Sequence, residues 1–169
     1  KTGKEFEYGS NIEVEVVADS IIQDLYIAFG KDEFLDASQD IIGNRADFNH
    51  NYKPASLGLS AITVYASGAN YAGYTKELIE VTTDEIPLKI EPLNSRIFLG
   101  IGETARVVFQ GEFGDFNVDV STDEKTQYHF HKGWLVDSIG NGFITATELG
   151  TDTLRVIFNG VESDPLILE

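Results

Sequence analysis

A two-residue alternation of side chains is the feature that most constrains the fold of this chain. In the stretch 139–158, IGNGFITATELGTDTLRVIF, the residues Leu154, Val156 and Phe158 fall on one side of an extended backbone. A period of two predicts a β-strand with one buried face. Asn159-Gly160 follows directly and is the strongest short signal for a β-hairpin. The C-terminal part therefore predicts antiparallel strands of a β-sandwich.

The same pattern recurs at short intervals along the whole chain, with turn residues between the repeats. It predicts strands near residues 5–8, 12–16, 22–29, 46–50, 62–66, 78–81, 88–92, 97–99, 105–109, 116–120, 128–131, 154–158 and 161–168. Residues 33–44, EFLDASQDIIGN, fit either a short strand or one helical turn. Many short strands without an amphipathic helix indicate an all-β chain of the sandwich type.

A break in this pattern predicts a domain boundary in the middle of the chain. The segment 83–87, TDEIP, carries no alternation, and Pro87 restricts Ile86 to an extended conformation. A fresh strand pattern then starts at residue 88. We therefore expect two tandem β-sandwich domains, residues 1–84 and residues 85–169.

The second half carries a recognisable arrangement of small and glycine residues. The pattern G-x-I-T-A-x-x-x-G-T-x-x-x-x-V is formed by Gly142, Ile144, Thr145, Ala146, Gly150, Thr151 and Val156. It resembles the bacterial immunoglobulin-like domains of group 2, which are similar to the repeats of intimin- and invasin-type adhesins. Residues 99–104 and 118–121 extend the resemblance, which covers roughly residues 88–169. The resemblance implies two tandem immunoglobulin-like β-sandwich domains in a bacterial surface or cell-adhesion protein.

Composition narrows the classes of partner and the compartment. The net charge of −16 argues against nucleic acid and against anionic membrane surfaces, because both require Lys and Arg. Without cysteine there is no disulfide and no thiolate zinc site.

The chain has no Met, so we expect it to begin after processing or to be part of a longer protein. No apolar run is long enough for a membrane helix. We expect a secreted or cell-surface bacterial protein whose signal or anchor segment has been removed, with no membrane insertion in this chain.

Three aromatic residues are the candidates for ligand binding. Tyr71 and Tyr74 flank Ala72-Gly73 at an expected exposed tip, where rings can stack on sugars or enter a partner's pocket. The alternative is that one tyrosine folds back to cap the end of the sandwich and leaves the other exposed. Trp134 follows Gly133 and is either a core residue or a third binding residue.

Two groups of side chains are weak candidates for metal binding. His129 and His131 lie two apart, so on a strand both imidazoles point to one face, where they could share a Zn²⁺ or Cu²⁺ ion. Asp32 and Asp36 belong to an acidic segment whose carboxylates could bind Ca²⁺, although the spacing is not that of a calcium loop. An exposed strand face and a solvated loop are the simpler explanations. We expect no tight metal site and no cofactor.

The motifs favour a binding module over an enzyme. There is no G-x-S-x-G serine, no cysteine nucleophile and no phosphate-binding glycine loop. The leading hypothesis is a non-catalytic spacer or adhesion module that contacts a protein or glycan at the cell surface. The sequence predicts no particular oligomeric state. The alternative is a carbohydrate-binding accessory module of a polysaccharide-processing system. Exposed aromatic residues lining one face would favour the alternative.

Overall fold

The fold is all-β and comprises two immunoglobulin-like sandwiches. The computed structural model describes residues 4–31, 33–133, 136–140 and 142–169, with only the backbone given for 136–140. The first sandwich contains the described residues up to Ala55 together with Leu59–Thr82, and the second contains Ser56–Gly58 and Thr83–Glu169. The described residues include no α-helix, and none of their helical segments is long and apolar enough to span a membrane.

The first sandwich is built from a five-stranded and a three-stranded sheet. Its strands are β1 (Lys4–Glu7), β2 (Asn11–Val17), β3 (Asp24–Phe29), β4 (Glu33–Asp36), β5 (Ile41–Ile42), β6 (Arg45–Asn51), β7 (Gly58–Gly68) and β8 (Tyr71–Thr82). The larger sheet has the order β1-β8-β7-β3-β4, and the smaller has the order β2-β6-β5. Strand β1 pairs with β8 in parallel, so the first and last strands of this sandwich are neighbours.

The hydrophobic core of the first sandwich follows from the alternation in β3. Leu25, Ile27 and Phe29 are fully buried, and Ile12 of β2 packs into the same interior from the other sheet. The ambiguous segment 33–44 resolves into both alternatives, because β4 is followed by a 3-10 turn at Ser38–Asp40 and then by β5. Because side chains alternate along a strand, the burial of these residues determines which side chains of β3 and of its neighbours β4 and β7 point outward.

The second sandwich also combines short strands from several sheets. Its strands are β9 (Lys89–Pro92), β10 (Arg96–Ile97), β11 (Thr104–Arg106), β12 (Phe109–Glu112), β13 (Asn117–Asp119), β14 (Gln127–Phe130), β15 (Val136–Gly140), β16 (Phe143–Ala146), β17 (Asp152–Phe158), β18 (Val161–Glu162) and β19 (Leu166–Leu168). They form the orders β13-β12-β9, β11-β16-β15 and β10-β19-β17-β14, with β18 beside β17. Strand β10 pairs with β19 in parallel, as β1 does with β8 in the first sandwich.

Two strands predicted as continuous are interrupted in the structure. Strand β11 pairs with β16, whereas β12 pairs with β9 and β13, so the chain changes sheets at Val107-Val108. The segment 161–168 is likewise divided into β18 and β19. The predicted hairpin at Asn159-Gly160 is confirmed, because both residues have positive φ (46° and 83°) between paired strands β17 and β18. Side-chain alternation alone could not show these changes of partner.

Candidate functional site

Four aromatic residues share the outward side of the five-stranded sheet in the first sandwich. Tyr26 of β3 lies directly opposite Tyr65 of β7, and Phe34 of β4 lies diagonally beside Tyr26. Tyr74 belongs to β8, the neighbour of β7. Because the residues on either side of Tyr26 are buried in the core, these four rings face away from it. We call them the aromatic face.

The rings of the aromatic face form a continuous row across four strands. The ring centroids of Phe34 and Tyr26 are 5.4 Å apart with nearly parallel planes, and the Phe34 and Tyr65 centroids are 6.1 Å apart. The Tyr65 and Tyr74 centroids are 5.9 Å apart. Phe34 is 64% exposed, Tyr65 41% and Tyr74 74%, whereas Tyr26 is half-buried. Three rings are therefore open to a ligand, and Tyr26 supports one of them.

The strand register explains why the rings meet. Neighbouring strands lie about 4.8 Å apart, so side chains at matched positions fall within reach of one another. Ala28 stands directly opposite Phe34 in β3, and its small side chain leaves the Phe34 ring room to reach towards Tyr65. Cross-strand aromatic pairs stabilise a sheet by roughly 0.2–1 kcal/mol each. That contribution does not require three of the rings to stay open to water.

Polar side chains lie on the same side of the sheet beside the rings. Asp36 is the cross-strand partner of Tyr26, and Asp24 precedes Tyr26 by two positions, so both share its side of the sheet. Ser67, opposite Asp24, donates a hydrogen bond of 2.7 Å from its Oγ to Asp24 Oδ2. Hydrogen bonds from Ser38 lower the pKa of the Asp36 carboxyl below its ordinary value. The row of rings is thus flanked by hydrogen-bond acceptors.

The structure separates the two tyrosines that the sequence placed together. Tyr71 and Tyr74 both lie in β8, so the expected tip carrying both residues is wrong, and only Ala69-Asn70 separates β7 from β8. Being three residues apart in one strand, the two side chains point to opposite sides. The Tyr71 hydroxyl donates to the Ile21 and Ser20 carbonyls, at 3.2 and 3.4 Å. Tyr71 is therefore folded back, and Tyr74 belongs to the aromatic face.

Of the remaining predicted site residues that the structure describes, His129 and His131 lie in the second sandwich and Asp36 in the first. His129 is exposed in β14 and His131 follows that strand, also exposed. Asp36 lies beside the aromatic face, opposite Tyr26. Asp32 and Trp134 fall outside the described residues. Within the part of the chain that the structure describes, no group of three or more His, Asp or Glu residues could hold a metal ion. The histidine pair stays a weak candidate.

A cleft between the two sheets of the first sandwich is a second concave feature. Its volume is about 700 Å³, and it is lined by core residues and by acidic residues of β2, β6 and β8. Three of its four acidic residues have cationic partners: Arg45 lies 2.9 Å from Glu15 and 3.4 Å from Asp47, and Lys4 lies 3.8 Å from Glu77. Mostly paired charges line this cleft, whereas three exposed rings lie on the aromatic face, which we therefore take as the candidate site.

Sequence reasoning missed Tyr26, Phe34 and Tyr65 as site residues. Each occupies an outward position in a strand pattern, as Tyr65 does between Val64 and Ala66. An aromatic side chain at an outward position is a usable signal, because such positions are usually polar. The pattern could not show that the strands carrying these rings are neighbours in one sheet.

Comparison with known proteins yields only distant structural likenesses. No protein-family model and no curated protein matches the chain. A chimeric titin Z1Z2-Z1Z2 tandem carrying a GRGDS peptide from fibronectin is 11% identical, with 99% of this chain and 93% of that chain covered and a TM-score of 0.39. A titin I9-I11 tandem is 11% identical over 99% of this chain and 63% of that chain, with a TM-score of 0.32. A β-glucuronidase of Parabacteroides merdae is 14% identical over 98% of this chain and 24% of that chain, with a TM-score of 0.37.

Such low TM-scores support no argument about function. The assignment of an immunoglobulin-like fold rests on the strand order of this chain and on the parallel pairing of β1 with β8 and of β10 with β19. The comparisons do not support the more specific resemblance to bacterial group 2 domains, which stays a prediction from the sequence motifs of the second half. Fold alone assigns no activity, so the functional proposal depends on the aromatic face.

Proposed function

We propose that this protein is a non-catalytic module that binds carbohydrate through the aromatic face of its first sandwich. The observation that carries the proposal is the row of three exposed rings, Phe34, Tyr65 and Tyr74, on the outer side of one sheet. Of the two functions that the sequence left open, this row favours the carbohydrate-binding module over a spacer that makes only protein contacts.

Aromatic rings suit sugars because a pyranose ring has an apolar side formed by its C–H groups. Stacking that side on an aromatic ring removes both apolar surfaces from water, while the sugar hydroxyls remain free to hydrogen-bond. Asp24, Asp36 and Ser67 lie beside the rings and can accept or donate such bonds. The face therefore combines the two kinds of contact that carbohydrate recognition needs.

The proposal includes the setting that the sequence motifs imply. We place the module in a secreted or cell-surface bacterial protein, where immunoglobulin-like tandems display binding surfaces. The resemblance of residues 88–169 to bacterial group 2 domains supports this setting, and the acidic composition is compatible with it. In this arrangement the second sandwich acts as a spacer, and the first carries the binding surface.

Affinity electrophoresis tests the proposal directly. Native gels containing a soluble polysaccharide, such as hydroxyethyl cellulose, laminarin, xylan or glucomannan, should retard the wild-type protein on at least one of them. The double variant Tyr65→Ala/Tyr74→Ala should lose at least about tenfold in affinity, because a few aromatic residues dominate most interfaces. Tyr71→Phe is the matched control, since Tyr71 lies in the same strand but points to the other side.

The outcomes separate binding from stability. A retarded wild type, a normal control and an unretarded double variant that retains its circular dichroism spectrum would support the proposal. Absence of retardation of the wild type on all four polysaccharides would reject it. Retardation that the double variant retains unchanged would also reject it, because binding would then lie elsewhere.

A further inference from the structure

We infer that the aromatic face binds one linear, uncharged polysaccharide chain lengthwise across the strands, and that it does not bind the flat surface of a crystalline polymer. This inference rests on the proposed function. It adds the direction, shape and charge of the ligand, each of which follows from a separate feature of the face.

The direction follows from the ring positions. Phe34, Tyr65 and Tyr74 belong to three different strands, so a ligand touching all three must cross β4, β3, β7 and β8. The successive centroid distances of 6.1 and 5.9 Å are similar to each other, so the rings form an evenly spaced row. A chain of repeating sugar units can place its units on such a row in turn. A branched or compact sugar reaches only part of it.

The shape follows from the tilt between neighbouring rings. The planes of Phe34 and Tyr65 make an angle of 52°, and those of Tyr65 and Tyr74 make an angle of 34°. Adjacent strands of a sheet are rotated relative to one another by roughly 20–25°, so such a row cannot be flat across the sheet. A planar crystal surface could stack on only one of these rings at a time. A single chain can rotate about its glycosidic bonds and follow the tilt.

The charge class follows from the groups around the row. Asp24 and Asp36 lie on the same side as the rings, Lys76 of β8 is a cation on that side two positions from Tyr74, and the whole chain has a net charge of −16. A glycan with carboxylate or sulfate groups would bring like charges together, which disfavours binding. Hydroxyl groups of an uncharged chain can instead donate hydrogen bonds to these carboxylates. The face is therefore complementary to a neutral linear glycan.

Titration calorimetry with oligosaccharides of increasing length tests the inference on the full chain. The probes are cello-, laminari-, xylo- and manno-oligosaccharides from disaccharide to hexasaccharide, with alginate as an anionic chain and microcrystalline cellulose in a sedimentation assay. For the series that binds, affinity should rise about fivefold to tenfold for each further ring that is covered, and then level off.

Variants at the two ends of the row provide the site-specific control. Phe34→Ala and Tyr74→Ala should each lower hexasaccharide affinity about tenfold while changing disaccharide affinity much less, because a disaccharide can use the rings that remain. Tyr65→Ala, at the centre, should weaken both. Tyr71→Phe should change neither.

Each outcome has one meaning for the inference. Length-dependent binding that is sensitive to both end variants, with weak binding to alginate and microcrystalline cellulose, would support it. Affinity independent of chain length would overturn it, as would equal binding to alginate or to the crystalline polymer, although carbohydrate binding itself would then stand. Failure to bind any of the soluble probes would overturn the inference and the proposed function together.

Discussion

The buried carboxylate of Asp152 should be a main determinant of stability in the second sandwich. Asp152 begins β17 and is only 2% exposed. Its Oδ1 accepts hydrogen bonds from the backbone N–H groups of Lys132 (2.9 Å) and Thr153 (2.7 Å), and its Oδ2 accepts one from Gly133 (3.0 Å). One side chain thus satisfies three backbone donors and fixes the chain after β14 against the start of β17.

The variant Asp152→Asn measures this role with little change in volume. The amide keeps one oxygen acceptor but presents an NH₂ group to at least one backbone N–H, which is then unsatisfied. An unsatisfied buried donor costs about 1–3 kcal/mol, and the remaining bonds lose their charge assistance. We expect a total loss of about 3 kcal/mol, which corresponds to a fall in Tm of roughly 12–24 °C for a domain of this size.

The same carboxylate predicts the response to acid. Burial raises the pKa of Asp152, but the hydrogen bonds from Lys132, Thr153 and Gly133 and the positive charge of Lys132 together lower it by more, so the folded-state pKa lies below the ordinary value. The stabilisation is therefore fully present above the unfolded-state pKa of about 4 and is lost as pH falls through the folded-state pKa. The wild type should lose stability more steeply than Asp152→Asn below about pH 4.

Differential scanning calorimetry at neutral pH and across the acid range is the assay. Asp164→Asn is the matched control, because Asp164 is exposed and lies 3.4 Å from Lys89, a surface pair expected to contribute less than about 1 kcal/mol. If Asp152→Asn shifts Tm no more than Asp164→Asn does, or leaves the acid dependence unchanged, the reasoning about the three hydrogen bonds is refuted.

Three further predictions concern other parts of the chain. Tyr71→Phe should lower the free energy of unfolding by about 0.5–1 kcal/mol, because it removes an exposed hydrogen bond to the Ile21 carbonyl, and a loss above about 1.5 kcal/mol would contradict this. Titration calorimetry with Zn²⁺ at neutral pH should show only weak binding that His129→Ala barely changes, and micromolar affinity abolished by that variant would contradict this. A fragment of residues 83–169 should give a cooperative melting transition, and an unfolded fragment would contradict the predicted independence of the second domain.

Local sequence pattern was sufficient for strands such as β3, in which one face is buried along the whole length. The strand predicted near residues 22–29 is confirmed as β3, and the alternating residues Leu25, Ile27 and Phe29 form its buried side. Asn159-Gly160 predicted a hairpin because both positions require positive φ, which these residues adopt at low cost. These features depend only on residues close together in sequence.

The features that the sequence did not reveal depend on pairing between distant segments. The aromatic face combines rings from β3, β4, β7 and β8, and their register decides whether the rings meet. The change of sheet between Arg106 and Phe109 likewise depends on distant partners, because β11 pairs with β16 whereas β12 pairs with β9. The expected tip at Tyr71 and Tyr74 is wrong for a local reason, because the turn is confined to Ala69-Asn70 and Gly73 lies inside β8.

The most direct test of carbohydrate binding by the aromatic face is a map of backbone amide chemical shifts during titration with a hexasaccharide. The probe is a neutral hexasaccharide with the same sugar and linkage as the polysaccharide that retards the wild type in the affinity gel. The proposed site predicts that the largest shifts fall in β3, β4, β7 and β8 around Tyr26, Phe34, Tyr65 and Tyr74, while the second sandwich is unaffected. Shifts centred on the second sandwich, or on the cleft side of β2 and β6, would contradict it.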